Sequence, residues 1–327
     1  MGKFKMKKIS IIVIILFLSS LYTSSYPSVT KIDQPGKTEV NKKEVKDKVI
    51  EKERVKKKKK KFPVLLVITI AALTTSLVFL LKGKKNQAED SANTEPPDIE
   101  WVDIPAGEFQ MGDNFNLGRP DERPVHTVYL DAYKISKYEV TWAQYLYFCE
   151  KTGRIKPDKL ESDTTWGKSN YPVSNVNWYD AVAFCEWLSM RTGNNIHLPT
   201  EAQWEKAARG TDQRKYPWGN SEPTCEYTNF SQCTNSKSPV GSYPAGVSPY
   251  GIHDMAGNVL EWCLDWYSSD YYSNSPLNNP QGPDSGHSHV YRGGCYGNVA
   301  FNIRTTFRLH VAPEASSHNL GIRLAMD

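Results

Sequence analysis

Six cysteines and two closely spaced histidines are among the side chains in this sequence that could form disulfides, bind a metal or act as nucleophiles. The cysteines are Cys149, Cys185, Cys225, Cys233, Cys263 and Cys295. An even number of cysteines is typical of an oxidising compartment, although the pairing cannot be read from the sequence alone. Cys225 and Cys233 enclose a short loop, so we expect these two to form a disulfide.

The remaining motifs give no support to several large enzyme classes. The sequence contains no CxxC, HExxH or calcium-binding hand loop, and it has no GxSxG or glycine-rich phosphate loop. Hydrolase and nucleotide-binding functions are therefore not indicated. His287 and His289 could ligate a metal, but surface histidines without a metal are the more common case. Cys149 and Cys185 occupy helix faces, where a free cysteine behaves as a small buried apolar residue.

The distribution of charge divides the 327-residue chain into two parts. Residues 1–100 carry 21 Lys and Arg against 11 Asp and Glu, whereas residues 101–327 carry 19 against 25. All nine tryptophans and all six cysteines follow residue 100, so a sizeable core is expected only there. Nucleic-acid binding requires clustered Lys and Arg on a folded face. The acidic C-terminal part therefore argues against a nucleic-acid partner.

The basic N-terminal part has the pattern of a membrane-anchored segment. Residues 1–25 combine a basic start with a short apolar run, which predicts a signal peptide or signal anchor. Residues 26–61 form a lysine-rich linker that we expect to be disordered, because it has too few apolar side chains to fold. Residues 62–81 contain 20 residues without a charge, the length of a transmembrane helix. Residues 82–99 are predicted to form a flexible tether.

The side of the membrane is indicated by two rules that conflict. Lysines before the predicted span outnumber those after it, which favours cytoplasmic residues 31–61 and a domain on the other side. A cleaved signal peptide at the N-terminus would imply the opposite arrangement. We expect a membrane-anchored protein whose domain is extracytoplasmic, in the periplasm or at the cell surface.

The pattern of residues 100–327 predicts an α+β domain with few helices and much loop. Residues 101–111 and 125–138 alternate apolar and polar side chains, as strands do. Helices are predicted to begin at Thr141 and Thr200, because each starts a capping box that ends in Gln. Another helix is predicted to begin near Asn177, because the apolar residues after it recur at helical spacing. After residue 210 regular patterns fade, leaving three short predicted strands at Val259–Trp266, Val290–Arg292 and Leu320–Ala325.

Nine segments in this part of the chain form an ordered set of motifs. They are Pro105–Gly112 (PAGEFQMG), Tyr138–Thr141 (YEVT), Pro172–Ala181, Leu198–Glu205 (LPTEAQWE), Pro217–Asn220 (PWGN), Gly251–Asn258 (GIHDMAGN), Glu261–Trp262, Arg292–Gly294 (RGG) and Asn319–Arg323 (NLGIR). In this order and spacing they resemble the formylglycine-generating enzyme (sulfatase-modifying factor) family over residues 100–327. The resemblance implies a C-type-lectin-like fold, loop-rich with small antiparallel sheets and a few helices.

The resemblance also defines where this chain departs from the family's oxidases. Those enzymes convert a sulfatase cysteine to formylglycine with copper held by two cysteines and with molecular oxygen. The matching positions, six and eleven residues beyond Arg292, hold Asn298 and Ile303. Neither side chain is the thiolate that Cu(I) prefers. Cys295 lies nearby, where the family usually has serine, but a single thiolate does not make a two-coordinate site. We therefore expect no copper.

Calcium is the cofactor that the resemblance supports. The family binds calcium through a segment that matches 254–261. This match implies the side chains of Asp254 and Glu261 and the backbone carbonyls of Gly257 and Val259 as ligands, and oxygen ligands of this kind suit calcium. A second calcium site of the family would begin at Asn229 and Phe230, although the rest of that site does not align.

Two function classes remain open. The first is a non-catalytic, lectin-like module that binds a protein, peptide or sugar ligand, because related domains serve as ligand-binding scaffolds, including the variable proteins of diversity-generating retroelements. The second is a formylglycine-generating or related oxygen-dependent oxidase acting on a sulfatase-type cysteine or another substrate. The residues expected to face a ligand are Trp262, Tyr296, Asn298, Phe301, His310 and Asn319.

Overall fold

The computed structural model of the chain describes residues 98–231 and 233–327. All of these residues belong to one of the two compact units into which the chain divides, Gln87–Asp327. The predicted signal segment, lysine-rich linker and transmembrane helix lie outside the described residues. Within the described ranges, no helix has both the length and the apolar composition needed to cross a bilayer. Of the predicted tether, Asp98 and Ile99 are described, and Ile99 packs against the domain core.

Ten short strands are arranged in three small sheets. The strands are β1 (Trp101–Ile104), β2 (Gly107–Met111), β3 (His126–Leu130), β4 (Tyr133–Ser136), β5 (Ile196–His197), β6 (Leu260–Trp266), β7 (His289–Arg292), β8 (Arg308–Val311), β9 (Leu320–Gly321) and β10 (Ala325–Met326). One sheet has the order β1-β4-β10-β5, a second pairs β2 with β3, and the third has the order β8-β7-β6-β9. Every pairing is antiparallel except that of β6 with β9, which is parallel.

Within the part of the chain that the structure describes, three of the four helices begin at the residues that the sequence indicates. The helices are α1 (Trp142–Thr152), α2 (Trp178–Thr192), α3 (Glu201–Arg209) and the single turn α4 (Tyr271–Asn274). Thr141, Asn177 and Thr200 each accept a hydrogen bond from the backbone N–H three residues later, and that later side chain binds back to the cap. These reciprocal bonds satisfy backbone donors that a helix start leaves free.

Two large apolar clusters and one small one form the core of the described residues. The larger one packs α1 and α2 against β6 and β9 through aromatic side chains, among them Tyr145, Phe148 and Phe184. The second surrounds Trp204 of α3 and contains the inward-facing residues of β2 and β3. Cys149 and Cys185 are buried in the larger cluster, as their helical spacing predicts. Helix α3 therefore joins the β2–β3 hairpin to the sheet that carries β6, β7 and β8.

Buried ion pairs, rather than apolar contacts alone, hold α3 against that sheet. Glu201 accepts hydrogen bonds from Arg308 at 2.6 and 2.8 Å and from Arg292 at 3.3 Å. Glu205 accepts from Arg292 and, at 3.0 Å, from Arg209. All five side chains are buried. Removing one partner of such a pair strands the other charge away from water, which is strongly unfavourable.

The strand predictions require four corrections. Residues 101–111 do not form one strand, because Pro105 has no N–H to continue the ladder and the two halves enter different sheets. Leu320–Ala325 likewise divides into β9 and β10, which belong to different sheets. The sheets are also not wholly antiparallel, and β8 follows no pattern that we recognised. The prediction of an α+β domain with small sheets, a few helices and much loop is confirmed.

We predict that Glu205→Gln lowers the free energy of unfolding by about 3 kcal/mol at neutral pH, because it leaves buried arginines without a full counter-charge. Burial raises the pKa of Glu205, but the positive charges of Arg292 and Arg209 lower it by more than burial raises it. The pKa of Glu205 therefore lies below its usual value. Its stabilising effect is complete above the unfolded pKa of about 4.3 and is lost as the pH falls below it.

The exposed Glu186→Gln on α2 is the matched control. Urea unfolding at several pH values measures both, and an equal stability of the two variants would contradict the prediction.

Candidate functional site

The Arg-Gly-Gly turn directs the chain out of β7 into an irregular segment, residues 293–303, that covers one end of the sheet. Gly294 has φ of +71°, and a Cβ there would lie 2.6 Å from the carbonyl oxygen of Asn302. Only glycine accommodates both the positive φ and this close approach. Arg292 donates to the carbonyl oxygens of Thr305 and Thr306, which holds the far end of the segment. The 293–303 segment is therefore positioned by its two ends.

Cys295 lies at the base of this segment as a buried thiol. Its backbone N–H donates to Oδ1 of Asn298 at 3.0 Å, and Nδ2 of Asn319 donates to its sulfur at 3.2 Å. Burial raises the pKa of Cys295, and the N–H groups of Gly297, Asn319 and Asn298 only partly oppose that effect. The thiol is therefore protonated at neutral pH rather than poised as a thiolate.

The two positions that match the family's copper ligands are occupied by groups with structural contacts. Ile303 is fully buried in a small apolar cluster with Tyr216 and Ala256. Asn298 is half-buried, its side chain binds Cys295, and its carbonyl oxygen accepts from Ser231 at 2.9 Å. Neither group supplies a soft ligand for Cu(I), so the residues at these positions do not fit the metal.

An exposed apolar face lies next to these positions. Val299 and Phe301 are 55% and 40% exposed. Phe301 packs its edge on Phe307, with ring centroids 5.7 Å apart, and the guanidinium of Arg119 lies 4.9 Å above the Phe307 ring. Arg119 and Phe307 were missed from sequence, since neither belongs to a motif that names a function. The arrangement provides apolar contact area beside a positive charge.

The predicted ligand-facing residues divide into those that reach this surface and one that does not. Tyr296, Asn298 and Asn319 surround Cys295, and His310 is exposed on β8 with its ring stacked on Tyr267 at 3.7 Å. Burial lowers the pKa of His310. Asp121 raises this pKa, whereas Arg308 and Arg119 lower it, and the net pKa is below its usual value. His310 is therefore largely neutral at pH 7.

The prediction that Trp262 faces a ligand is wrong. Its ring is wholly buried in the larger core cluster, and its Nε1 donates to the carbonyl oxygen of Val176 at 3.0 Å. It contacts the ring of Tyr291 edge-on, with centroids 5.9 Å apart. Trp262 therefore supports the surface from beneath instead of touching a ligand. Its place on β6 points it inward, because alternate residues of a strand face opposite sides.

The segment predicted to bind calcium contains more negative than positive charge. Asp254 and Glu261 are buried with Glu139, and Arg323 is the cation that contacts this group. Burial raises the pKa of Asp254 to about 6, and burial together with Asp254 and Glu261 raises that of Glu139. A bound cation would neutralise part of this excess negative charge, so the charge of this group is compatible with calcium. Both oxygens of Glu261 already accept hydrogen bonds from Arg323 and Trp204, which leaves Asp254 as the freer carboxylate.

The start of the second predicted calcium site is engaged in hydrogen bonds within its own loop. Oδ1 of Asn229 accepts from Thr234 at 2.7 Å, and the carbonyl oxygen of Phe230 accepts from the N–H of Cys233 at 2.9 Å. This loop is closed by the Cys225–Cys233 disulfide, as the sequence predicts. Across the described ranges, no group of three or more His, Cys, Asp or Glu side chains is placed to hold a metal ion.

His289 is a core residue and does not present itself to a surface metal. It is buried between the rings of Trp178 and Trp266, with centroids 3.8 and 3.7 Å from its own. Its Nδ1 lies 3.0 Å from the carbonyl oxygen of Leu264. His287 is exposed in the preceding loop. The pair that the sequence suggested as metal ligands is therefore divided between the core and the solvent.

A cleft of about 520 Å³ opens elsewhere, between the β3–β4 turn, β5 and the start of α3. Its lining includes His197, Gln203 and Asp327, and it contains none of the predicted site residues. Its size alone does not connect it with the chemistry considered above.

Comparison with known proteins agrees with the motif set. The family model described as "Sulfatase-modifying factor enzyme 1-like domain" matches residues 85–327. The match begins inside the segment predicted from sequence as a tether. The formylglycine-generating enzyme of Streptomyces coelicolor is 34% identical over 288 residues, which cover 69% of this chain and 88% of that protein. A protein named serine/threonine-protein kinase pkn1 from Chlamydia caviae is also 34% identical, but the chain spans only 40% of its length.

Solved structures share the fold. The structure of PvdO from Pseudomonas aeruginosa has a TM-score of 0.63 at 26% identity and covers 72% of this chain and 99% of that one. Treponema denticola variable protein 1 has a TM-score of 0.58 at 26% identity and covers 69% and 94% of the two chains. These similarities show that the described domain shares its overall fold with both structures.

We predict that Ile303→Ala destabilises the domain by about 2–4 kcal/mol, because it empties a fully buried position. Val299→Ala, four residues earlier and exposed, should change the free energy of unfolding by less than about 0.5 kcal/mol. Thermal and urea unfolding of the two variants compares them directly. Equal stability of the variants would show that Ile303 is not a core residue.

Proposed function

Because this chain belongs to the family of sulfatase-modifying factor enzyme 1-like domains, we propose that its domain binds a peptide or protein ligand on the surface of the 293–303 segment without oxidising it. The observation that carries this proposal is the replacement of both thiolate positions. Ile303 is part of an apolar cluster, and Asn298 is tied into the segment by hydrogen bonds. Copper has no thiolate pair at these positions, so the family's oxidase chemistry has no centre there.

The character of the surface supports a binding role. Val299 and Phe301 are exposed apolar side chains on a segment whose ends are held by glycine geometry and by Arg292. A rigid backbone with projecting apolar groups binds a ligand with little loss of conformational entropy, which favours recognition. A sugar ligand is the less favoured member of the same class, because planar stacking here is limited to Phe301 and Tyr296.

The alternative is an oxidase that uses another arrangement of ligands. The specific observation in its favour is Cys295, a thiol beside Asn298, together with the similarity to a formylglycine-generating enzyme over 88% of that protein. A single buried, protonated thiol gives this alternative weaker support than the exposed surface gives to binding.

We predict that full-length protein enriches recurring sequences from a random peptide display library, and that Phe301→Ser abolishes the enrichment. Loss of the exposed ring removes apolar contact area from the proposed surface. Met190→Ser is the matched control, because Met190 is 78% exposed on α2 and does not belong to this surface. Enrichment that Phe301→Ser leaves unchanged would place the binding surface elsewhere.

The same proposal predicts no oxidation. A peptide containing Cys-x-Pro-x-Arg, incubated with the protein, copper, oxygen and a thiol reductant, should retain its cysteine thiol by mass spectrometry. Conversion of that cysteine to the aldehyde would overturn the proposal in favour of the oxidase.

We also propose that calcium stabilises the loop of residues 254–261, with Asp254, Glu261 and the carbonyls of Gly257 and Val259 as ligands. The excess of buried carboxylates over cations supports it, and the ion would act structurally. Calcium at one hundred times its dissociation constant should add about 2.7 kcal/mol to the free energy of unfolding. Asp254→Asn should lose this increment, whereas the exposed Asp284→Asn should keep it. Thermal unfolding with calcium and with chelator tests this, and an equal response of both variants would contradict it.

We propose that residues 62–81 anchor the protein in a membrane with the domain on the extracytoplasmic side. The uncharged run of 20 residues between Lys61 and Lys82 supports the anchor. The protein should remain in the membrane pellet after alkaline carbonate washing, and protease added to intact cells or spheroplasts should digest the domain. Release of the full chain by carbonate would exclude the anchor, and protection from protease would reverse the orientation.

A further inference from the structure

Arg119 differs from the other arginines around the 293–303 segment in having no carboxylate partner. Arg304 forms a bidentate pair with Glu122 at 2.9 and 3.0 Å, and Arg308 binds Glu201. Arg119 is exposed, and across residues 98–231 and 233–327 no Asp or Glu oxygen pairs with its guanidinium. Its positive charge is therefore available for a ligand to neutralise.

The position of that guanidinium is set by its surroundings. The backbone N–H of Arg119 donates to Oε1 of Glu122 at 3.0 Å, and the guanidinium lies over the ring of Phe307. An arginine resting on an aromatic face keeps its N–H edge free for a carboxylate. Burial raises the pKa of Tyr291 and lowers that of His310, and the charge of Arg119 lowers the pKa of both. Arg119 therefore lies among the residues of the proposed binding surface.

Neither Glu122 nor Asp121 forms an ion pair with the guanidinium of Arg119 among the described residues, and Glu122 pairs with Arg304 instead. Asp121 accepts a hydrogen bond from the hydroxyl of Tyr267 at 2.9 Å, and no ion pair joins it to Arg119 among the described residues. The Phe307 ring contacts both the ring of Phe301, with centroids 5.7 Å apart, and the guanidinium of Arg119 at 4.9 Å, and Phe301 is 40% exposed, so apolar contact area and positive charge occur together. The partner that complements this pair is an apolar group followed closely by a carboxylate.

We propose that the surface of the 293–303 segment recognises an acidic peptide, with Arg119 binding a carboxylate while Phe301 and Val299 contact a neighbouring apolar side chain. This inference rests on the proposed binding function and names its ligand class. A polyanion such as a nucleic acid does not fit, because residues 101–327 carry 25 acidic against 19 basic side chains. A single carboxylate is attracted at short range by Arg119 and is screened from the more distant acidic groups.

The test uses two probes of equal shape, 3-phenylpropionate and 3-phenylpropionamide, titrated into the full-length protein. We expect the carboxylate to bind about tenfold more tightly than the amide, the size of effect that a charge-assisted hydrogen bond gives. Arg119→Gln should reduce this preference to near unity, and Arg119→Lys should keep part of it. Lys134→Gln is the matched control, because it removes an exposed positive charge from β4 in a different sheet. Affinities come from chemical-shift titration of the aromatic side chains.

Each outcome separates the inference from the function on which it rests. Equal binding of both probes by the wild type, or a preference that survives Arg119→Gln, overturns the role of Arg119 while leaving an apolar binding surface. Binding that Phe301→Ser abolishes for both probes, with the preference for the carboxylate lost only in Arg119→Gln, supports both. Failure of both probes to perturb this surface overturns both the acidic ligand class and the binding function.

Discussion

The buried ion pairs between α3 and the sheet are the interaction on which the rest of this domain depends. Glu201 and Glu205 neutralise Arg292 and Arg308 where no water reaches them. Each glutamate is tolerable only because its arginines are present, and the reverse holds equally. The pairs therefore force α3, β7 and β8 into one arrangement. The Arg-Gly-Gly turn begins at Arg292, so the same arrangement determines where the 293–303 segment leaves the sheet.

This arrangement explains how the domain keeps its framework without the family's copper ligands. The motifs that define the family supply the ion pairs, the helix caps and the turn, all of which act in folding. The residues at the copper positions supply only a core contact, through Ile303, and a hydrogen-bonded support, through Asn298. Under the proposed function, the absence of the thiolates removes copper chemistry from these positions and leaves the scaffold that presents the surface. A scaffold stabilised independently of its site is free to carry a different function.

Several parts of the fold could be read from local signals, and others could not. The capping boxes at Thr141 and Thr200 located two helices correctly, because the bonds that define them join residues three apart. The Cys225–Cys233 disulfide was also predictable, because only eight positions separate the two cysteines and they enclose a short loop. The division of residues 101–111 into β1 and β2 was missed, since strand partners are distant in sequence and the pattern alone does not identify the sheet.

The sequence by itself determined the family, the starts of three of the four described helices and the absence of thiols at positions 298 and 303, and it favoured the Cys225–Cys233 disulfide. Only the tertiary structure decided which side chains share a surface. It buried Trp262 beneath Tyr291, and it brought Arg119 over Phe307 across 188 positions of the chain. The physical reason is that motifs record groups fixed by short-range bonds and turns. Burial and charge pairing depend instead on which distant elements pack together, and an arginine without a partner is visible only after every other partner has been assigned.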